Sequence, residues 1–145
     1  MASRKVSDVV RNQVIFFTPP GSITVREAAI QMKKIKTGAL MIVEKGALVG
    51  IFTERDALNK VLAEGLDPDK TKVSKVMTKN PQTVNGDMPF THALQMMHEG
   101  CYRHLPVVEG TRPVGIISLR DALGNELVEL EHELERQEIL SENLC

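Results

Sequence analysis

"GIFTERDAL" at residues 50–58 and "GIISLRDAL" at residues 115–123 are near copies, 115 − 50 = 65 positions apart. The match extends without a gap over residues 26–58 against 91–123, with 12 identities in 33 pairs. Further upstream the phase slips by two, so that "VSDVV" at Val6 meets "VSKVM" at Val73, an offset of 67. The chain is a tandem duplication, with repeats over residues 6–70 and 73–123 and a tail over 124–145. Repeated units of this kind bury their apolar faces against each other. A chain of 145 residues with 42% hydrophobic content fills one compact core, whereas either half alone is marginal. Two intertwined lobes in one domain are expected.

The net charge of −1 hides an asymmetry. Residues 124–145 carry seven Glu against one Arg, and residues 1–123 carry 17 Lys and Arg against 12 Asp and Glu, so a tail of −6 follows a body of +5. A basic body suits an anionic ligand, although an ordinary solvated surface gives the same count. No charged leader with an apolar core opens the sequence, and stretches such as "ALMIV" are too short to span a bilayer. A soluble, cytoplasmic protein is expected, with no membrane partner. The two cysteines, Cys101 and Cys145, supply neither a disulfide framework nor metal-ligand spacing, which agrees with a reducing compartment.

The apolar period places the elements. "VREAAIQMKKI" carries Val25, Ala28, Ala29, Met32 and Ile35 at helical spacing behind a Thr24–Glu27 capping box. "ALMIVE" and "LVGIF" read as two strands joined by a tight, glycine-containing hairpin, after which a helix opens at Thr53. The second repeat gives a helix through "FTHALQMMHE", strands at "LPVV" and "PVGII", and a helix from Ser118. With "QVIF" and "PQTV" as leading strands, each repeat is β-α-β-β-α, so the fold class is α/β of the α+β kind with pseudo-two-fold symmetry. Leu123, Leu127, Leu130 and Leu134 then extend the last helix into a long amphipathic C-terminal one, over residues 124–145. Its apolar stripe predicts packing on a second subunit.

Thr53 with Asp56, and Ser118 with Asp121, fit a capping box before an apolar helical run, which needs no ligand. Capping leaves Arg55, Arg120, Gly50 and Gly115 unexplained. Glycine within a strand marks close approach of a backbone or ligand, and a helix start with a hydroxyl offers an anion site. A carboxylate one turn further on accepts both hydroxyls of a ribose. Together these residues read as a nucleotide cradle, with Thr53 or Ser118 for phosphate, Asp56 or Asp121 for the sugar diol, and strands as walls for the base.

With "GIFTERD", "GIISLRD" and the strand "RHLPVV" at residues 103–108, the sequence resembles the paired cystathionine β-synthase (CBS) domain, or Bateman module, over residues 6–123. The resemblance implies a single CBS pair acting as a non-catalytic regulatory module. It implies binding of AMP, ADP, ATP, NAD(H) or S-adenosylmethionine in clefts between the repeats, with no obligatory cofactor. Asp56 and Asp121 would hold ribose, while Thr53 and Ser118 would contact phosphate. One cleft would add Arg103, His104 and Ile116 to Asp121, with Thr37, Gly38 and Ala39 from the other repeat and the leading strand near Val14. The other would join Asp56 to Thr37, Gly38, Asn80 and Pro81. The first repeat has "TGALMIV" where the second has "YRHLPVV", so the Asp56 cleft lacks the basic pair.

Other motifs carry less. His98, Cys101 and His104 do not share a metal-binding spacing, so no metal is expected. Neither a nucleophile with its base nor a phosphate-binding glycine loop is present, and the five aromatics give little for stacking nucleic acid. Three classes stay open: an adenine-nucleotide sensor signalling to an effector protein in trans, a homodimerising interaction module with unoccupied clefts, and a small enzyme.

Overall fold

The computed structural model describes residues 4–13 and 18–136. In chain order these form helices α1 (Val6–Val10) and α2 (Val25–Ile35), strands β1 (Ala39–Glu44) and β2 (Ala47–Thr53), and helix α3 (Glu54–Asp56), which runs into a π-helical turn at Ala57–Leu62. A 3-10 turn at Val73–Lys75, strand β3 (Thr78–Lys79) and helix α4 (Phe90–Gly100) follow. Strands β4 (His104–Glu109) and β5 (Arg112–Ser118), a 3-10 turn at Leu119–Asp121 and helix α5 (Gly124–Arg136) complete the order. The fold is mixed α+β with antiparallel strands and a C-terminal helix, as the sequence predicts.

The chain divides into two compact units. The first comprises the described parts of Val14–Pro81 with Gly110–Pro113, and the second those of Met1–Gln13, Gln82–Glu109 and Val114–Cys145. This division explains the two-residue phase slip. In the second unit Val6 N–H donates to Met88 O (2.8 Å) and Ser7 N–H to Gly86 O (2.9 Å), and in the first Val73 N–H donates to Ile23 O (2.9 Å) and Ser74 N–H to Gly21 O (3.0 Å). The segment that opens each repeat in sequence thus bonds to the body of the other, pairing partners offset by 67 on one side and 65 on the other.

In the first unit, Thr24 Oγ1 accepts from Glu27 N–H (3.1 Å) and the Glu27 carboxylate accepts from Thr24 N–H (3.3 Å), which forms the expected capping box. Val25, Ala28 and Met32 of α2 bury against Leu40, Ile42, Phe52, Val61, Val73 and Val76. Phe52 is wholly buried, and its truncation to Ala removes about 3–5 kcal/mol. Lys45 (φ 52°) and Gly46 (φ 79°) close the β1–β2 hairpin, both left-handed as a two-residue turn that matches strand twist demands. A register shift leaves Val49 as a bulge, and its carbonyl accepts from Asn80 N–H (3.2 Å) beside the β2–β3 pairs Gly50↔Lys79 and Ile51↔Thr78. Strand β3 was not legible in the sequence, being two exposed polar residues held by backbone bonds.

In the second unit, Phe90, Ala93, Leu94 and Met97 of α4 pack with Val6, Val84, Leu105, Val107 and Ile117. Two expectations change here, and a third falls outside the described residues. The leading strand "PQTV" reduces to one parallel bridge, Val84↔Val107, because only Val84 N–H (to Pro106 O, 3.0 Å) and Val84 O (from Val108 N–H, 2.9 Å) find ladder partners. The counterpart "QVIF" lies, from Val14 on, outside the described residues. The helix from Ser118 does not continue into the tail: it makes one 3-10 turn, and Ala122 is extended (φ −70°, ψ 137°) before α5 begins. Arg4 Nη2 donates to Asp121 O (2.9 Å), occupying a carbonyl that a continuous helix would use, and Glu126 accepts Leu123 N–H (2.9 Å) to start the next helix.

Of the predicted leucine stripe, Leu130 packs on the core whereas Leu123 and Leu127 are exposed, so α5 turns only part of that face inward. Cys101 ends α4 in a left-handed conformation (φ 57°). No helix among the described residues is long and apolar enough to cross a membrane.

Candidate functional site

Each unit presents one copy of the candidate cradle, and the 65-residue offset is kept in its hydrogen bonds. Glu54 N–H donates to Gly38 O (2.9 Å) in the first unit, and Leu119 N–H to Arg103 O (3.1 Å) in the second (103 − 38 = 65; 119 − 54 = 65). The turn after the second hairpin strand is thus tied to the residue before the first. The same bond sets Arg103 backbone beside Ser118, and Gly38 beside Thr53.

In the first unit Thr53 and Asp56 form a complete capping box. Thr53 N–H donates to Asp56 Oδ2 (3.0 Å) and Asp56 N–H to Thr53 Oγ1 (3.1 Å). The other carboxylate oxygen, Oδ1, meets Lys60 Nζ at 3.0 Å, and Asp56 is only 7% exposed. Ala39 lies opposite Thr53 in the β1–β2 register, and Thr37 Oγ1 donates to Ala39 O (3.1 Å). Thr37, Gly38, Ala39, Thr53 and Asp56 are therefore brought together. Asn80, with a left-handed backbone (φ 49°), and Pro81 sit at the other edge of β2, four residues from Thr53 and so about 13 Å along the strand.

In the second unit Ser118 N–H donates to Asp121 Oδ2 (2.8 Å), and the Ser118 hydroxyl lies 3.5 Å from the same oxygen. Asp121 is half-buried, and among the described residues its Oδ1 carries no hydrogen bond or ion pair. Arg103 is exposed, with no side-chain hydrogen bond or ion pair among the described residues, and His104 next to it is half-buried. Ile116 is already engaged at its backbone: Gln13 Nε2 donates to Ile116 O (2.6 Å) and Ile116 N–H donates to Gln13 Oε1 (3.0 Å). One side-chain amide here does what β3 does for Ile51. Val14, assigned to this cradle from sequence, lies outside the described residues.

The hallmark glycines answer to packing. A Cβ on Gly50 would fall 2.5 Å from Met77 Sδ, and one on Gly115 would fall 2.9 Å from Val10 Cβ. Met77 and Val10 are themselves 67 apart, so the same close contact recurs in both units, made by protein side chains.

Sequence reasoning missed three groups at or near the cradles. Lys60 was readable as an i,i+4 partner of Asp56. Gln13 had no local signal, and neither did the Arg4–Glu126 pair, whose members are 122 positions apart. Arg4 grips Glu126 through Nε to Oε2 (3.1 Å) and Nη2 to Oε1 (2.7 Å) and stacks over Phe90, 5.1 Å from its centroid. Hydrogen bonding to Arg4 holds the Glu126 carboxyl below the usual carboxylate range, against the opposing pull of burial, and raises Arg4 in turn.

Comparison with known proteins gives a consistent result. The CBS domain family model matches residues 6–63 and 73–127. The chain is 36% identical over 122 residues to the CBS domain-containing protein YhcV of Bacillus subtilis, covering 84% of this chain and 85% of that protein. Against the first of the CBS domain-containing relatives from Arabidopsis thaliana, at 39% identity, it spans only 22% of their length. Among solved structures it is similar to the CBS domain pair of protein MJ0100 in complex with 5′-methylthioadenosine and S-adenosyl-L-methionine, with a TM-score of 0.74 at 30% identity, covering 91% of this chain and 98% of that one. It is also similar to a hexameric CBS-CP12 protein from bloom-forming cyanobacteria, with a TM-score of 0.77 at 29% identity over 94% of this chain and 79% of that one.

Proposed function

The chain belongs to the CBS domain family, and from that premise we propose that it is a non-catalytic regulatory module that binds adenosine-containing nucleotides. AMP, ADP, ATP, NAD(H) and S-adenosylmethionine are the candidate ligands, and the bound state is passed to an effector protein in trans. The observation that carries the reading is the Asp121 cradle. Its half-buried carboxylate keeps one oxygen without a hydrogen bond or ion pair among the described residues, a ribose acceptor one turn beyond the Ser118 hydroxyl. Arg103, tied next to that hydroxyl through its carbonyl, supplies a cation for phosphate. The adenosine compounds bound to the similar MJ0100 pair support the same ligand class.

In this reading Asp121 and Asp56 hold ribose, and Ser118, Thr53, Arg103 and His104 serve phosphate. Thr37, Gly38, Ala39, Ile116, Asn80, Pro81 and Val14 line the remainder. A homodimer joined through helices is part of the proposal, supported by the exposed Leu58, Leu62, Leu127 and Val128 and by the hexameric relative. Those exposed side chains also favour the second reading, an interaction module whose cradles stay empty. A thermal-shift panel with AMP, ATP, NAD and S-adenosylmethionine separates the two, because a ligand at 100 times its dissociation constant adds about 2.7 kcal/mol. Stabilisation by none of the four, at millimolar concentration, rejects the nucleotide reading in favour of the interaction module.

A further inference from the structure

The two cradles share a capping box and a 65-residue register, but the helix after Asp56 runs on through Ala57–Leu62, whereas the chain after Asp121 makes one 3-10 turn and is extended at Ala122. Four residues beyond Asp56 stands Lys60, whose Nζ lies 3.0 Å from Asp56 Oδ1. The residue 65 positions further on is Asn125 (60 + 65 = 125), which lies in α5 beyond the break at Ala122, and among the described residues Asp121 has no ion pair. We infer that Lys60 is a built-in competitor for the Asp56 carboxylate, a gate that lowers the affinity of this cradle for a ribose diol and so sets the order in which the two cradles fill.

The chemistry is a contest for one acceptor. A ribose diol binds a carboxylate by donating its hydroxyl protons, and a carboxylate offers about four lone-pair sites in all. At Asp56 one oxygen serves Thr53 N–H and the other serves Lys60, and the side chain is 9% exposed, so a diol gains access by displacing the ammonium. Lys60 is 45% exposed at its side chain, so the ammonium can withdraw to water while Asp56 stays in place. The same cation attracts a phosphate, so the gate opposes the sugar and favours the charged tail. Adenosine, which has the diol and no phosphate, isolates the first effect.

The inference rests on the nucleotide reading above, and the test keeps the two apart. Adenosine and ATP are titrated calorimetrically into the full chain in four forms: unaltered, Lys60→Met, Asp121→Ala, and Asp121→Ala with Lys60→Met. Removing Lys60 in the Asp121→Ala background should tighten adenosine by roughly 2-fold to 10-fold, the worth of one typical net hydrogen bond, with a smaller gain or a loss for ATP. In the otherwise unaltered chain, Lys60→Met should bring a second adenosine site into the measurable range. Lys60→Arg, which keeps the competing cation, should bind adenosine as the unaltered chain does. Thermal melting of each variant separates gating from scaffolding, since a purely structural lysine loses stability and affinity together. If the unaltered chain binds adenosine and Lys60→Met leaves the Asp56 affinity unchanged or weaker in both backgrounds, the gate is refuted and the nucleotide reading stands. If neither the unaltered chain nor Lys60→Met binds adenosine or ATP, both are refuted.

Discussion

Replacing Arg4 by Met should destabilise the protein by about 2–3 kcal/mol. The guanidinium makes two bonds to Glu126 and one to Asp121 O and lies over Phe90, and Glu126 is 4% exposed. Removing one member of a buried pair costs about 3–5 kcal/mol, and the Arg4 side chain is one-third exposed, so solvent screening lowers that figure. Glu126→Gln should cost less, about 1–2 kcal/mol, because the amide oxygen still accepts Leu123 N–H. The pH dependence has a definite sign. Arg4 depresses the Glu126 carboxyl in the folded state, so its contribution is complete above the ordinary glutamate range and is lost as the pH falls through the lowered folded value. Urea unfolding at pH 7 and at a series of acidic values reads both effects, with the wild-type advantage over Glu126→Gln shrinking on acidification. An Arg4→Met variant within about 0.5 kcal/mol of wild type at pH 7, inside the scatter of ordinary surface substitutions, would refute the reasoning.

Arg103→Ala or Asp121→Ala should weaken nucleotide binding by roughly 10-fold to 150-fold, since each removes a charge-assisted bond, and Asp56→Ala should cost the tight site much less. Calorimetry decides this, and the reverse order would mean that the cradles are assigned the wrong way round. Gly115→Ala should destabilise by about 1–3 kcal/mol with or without ligand, because its Cβ meets the rigid Cβ of Val10, whereas Gly50→Ala should cost less because the thioether of Met77 can turn away. Equal losses in chemical denaturation would count against that packing argument. Truncation after Gly124 should weaken the homodimer in sedimentation. Because it also removes Glu126, the cleaner variant is Leu127→Glu with Val128→Glu, which alters exposed positions alone. A monomer at micromolar concentration in the unaltered protein would reject the dimer.

Much of the fold could be read because its signals are local and occur twice. The Thr24–Glu27 box, the stripe of α2 and the Lys45–Gly46 hairpin each sit within a dozen residues and obey a fixed period. What escaped depends on partners far away in sequence. Strand β3 has no apolar alternation and exists because the Val49 bulge and Gly50 present backbone groups to it. The break before α5 depends on Arg4, 117 residues from the Asp121 carbonyl it takes. The repeat offset itself carries a mark of the architecture. A slip from 65 to 67 between "VSDVV" and the body of the repeat marks where each opening segment leaves its own repeat to bond with the other.

The cradles were legible by type and less so by state. The sequence pairs Thr53 with Asp56 and Ser118 with Asp121, and the structure makes both pairs capping boxes, so the motif shapes the turn before any ligand arrives. The glycines of the same motif let the segments at Val10 and Met77 press against the strand. The absence of a side chain at Gly50 and Gly115 is therefore a packing requirement. On the proposed reading, ligand selection would fall to positions where the two repeats differ: Arg103 against Gly38 at the edge of the hairpin, and Lys60 on the helix after Asp56 against Asn125 beyond the break at Ala122. Duplication gives two frames with one register, and on the proposed reading the differences at those positions would give each frame its own affinity.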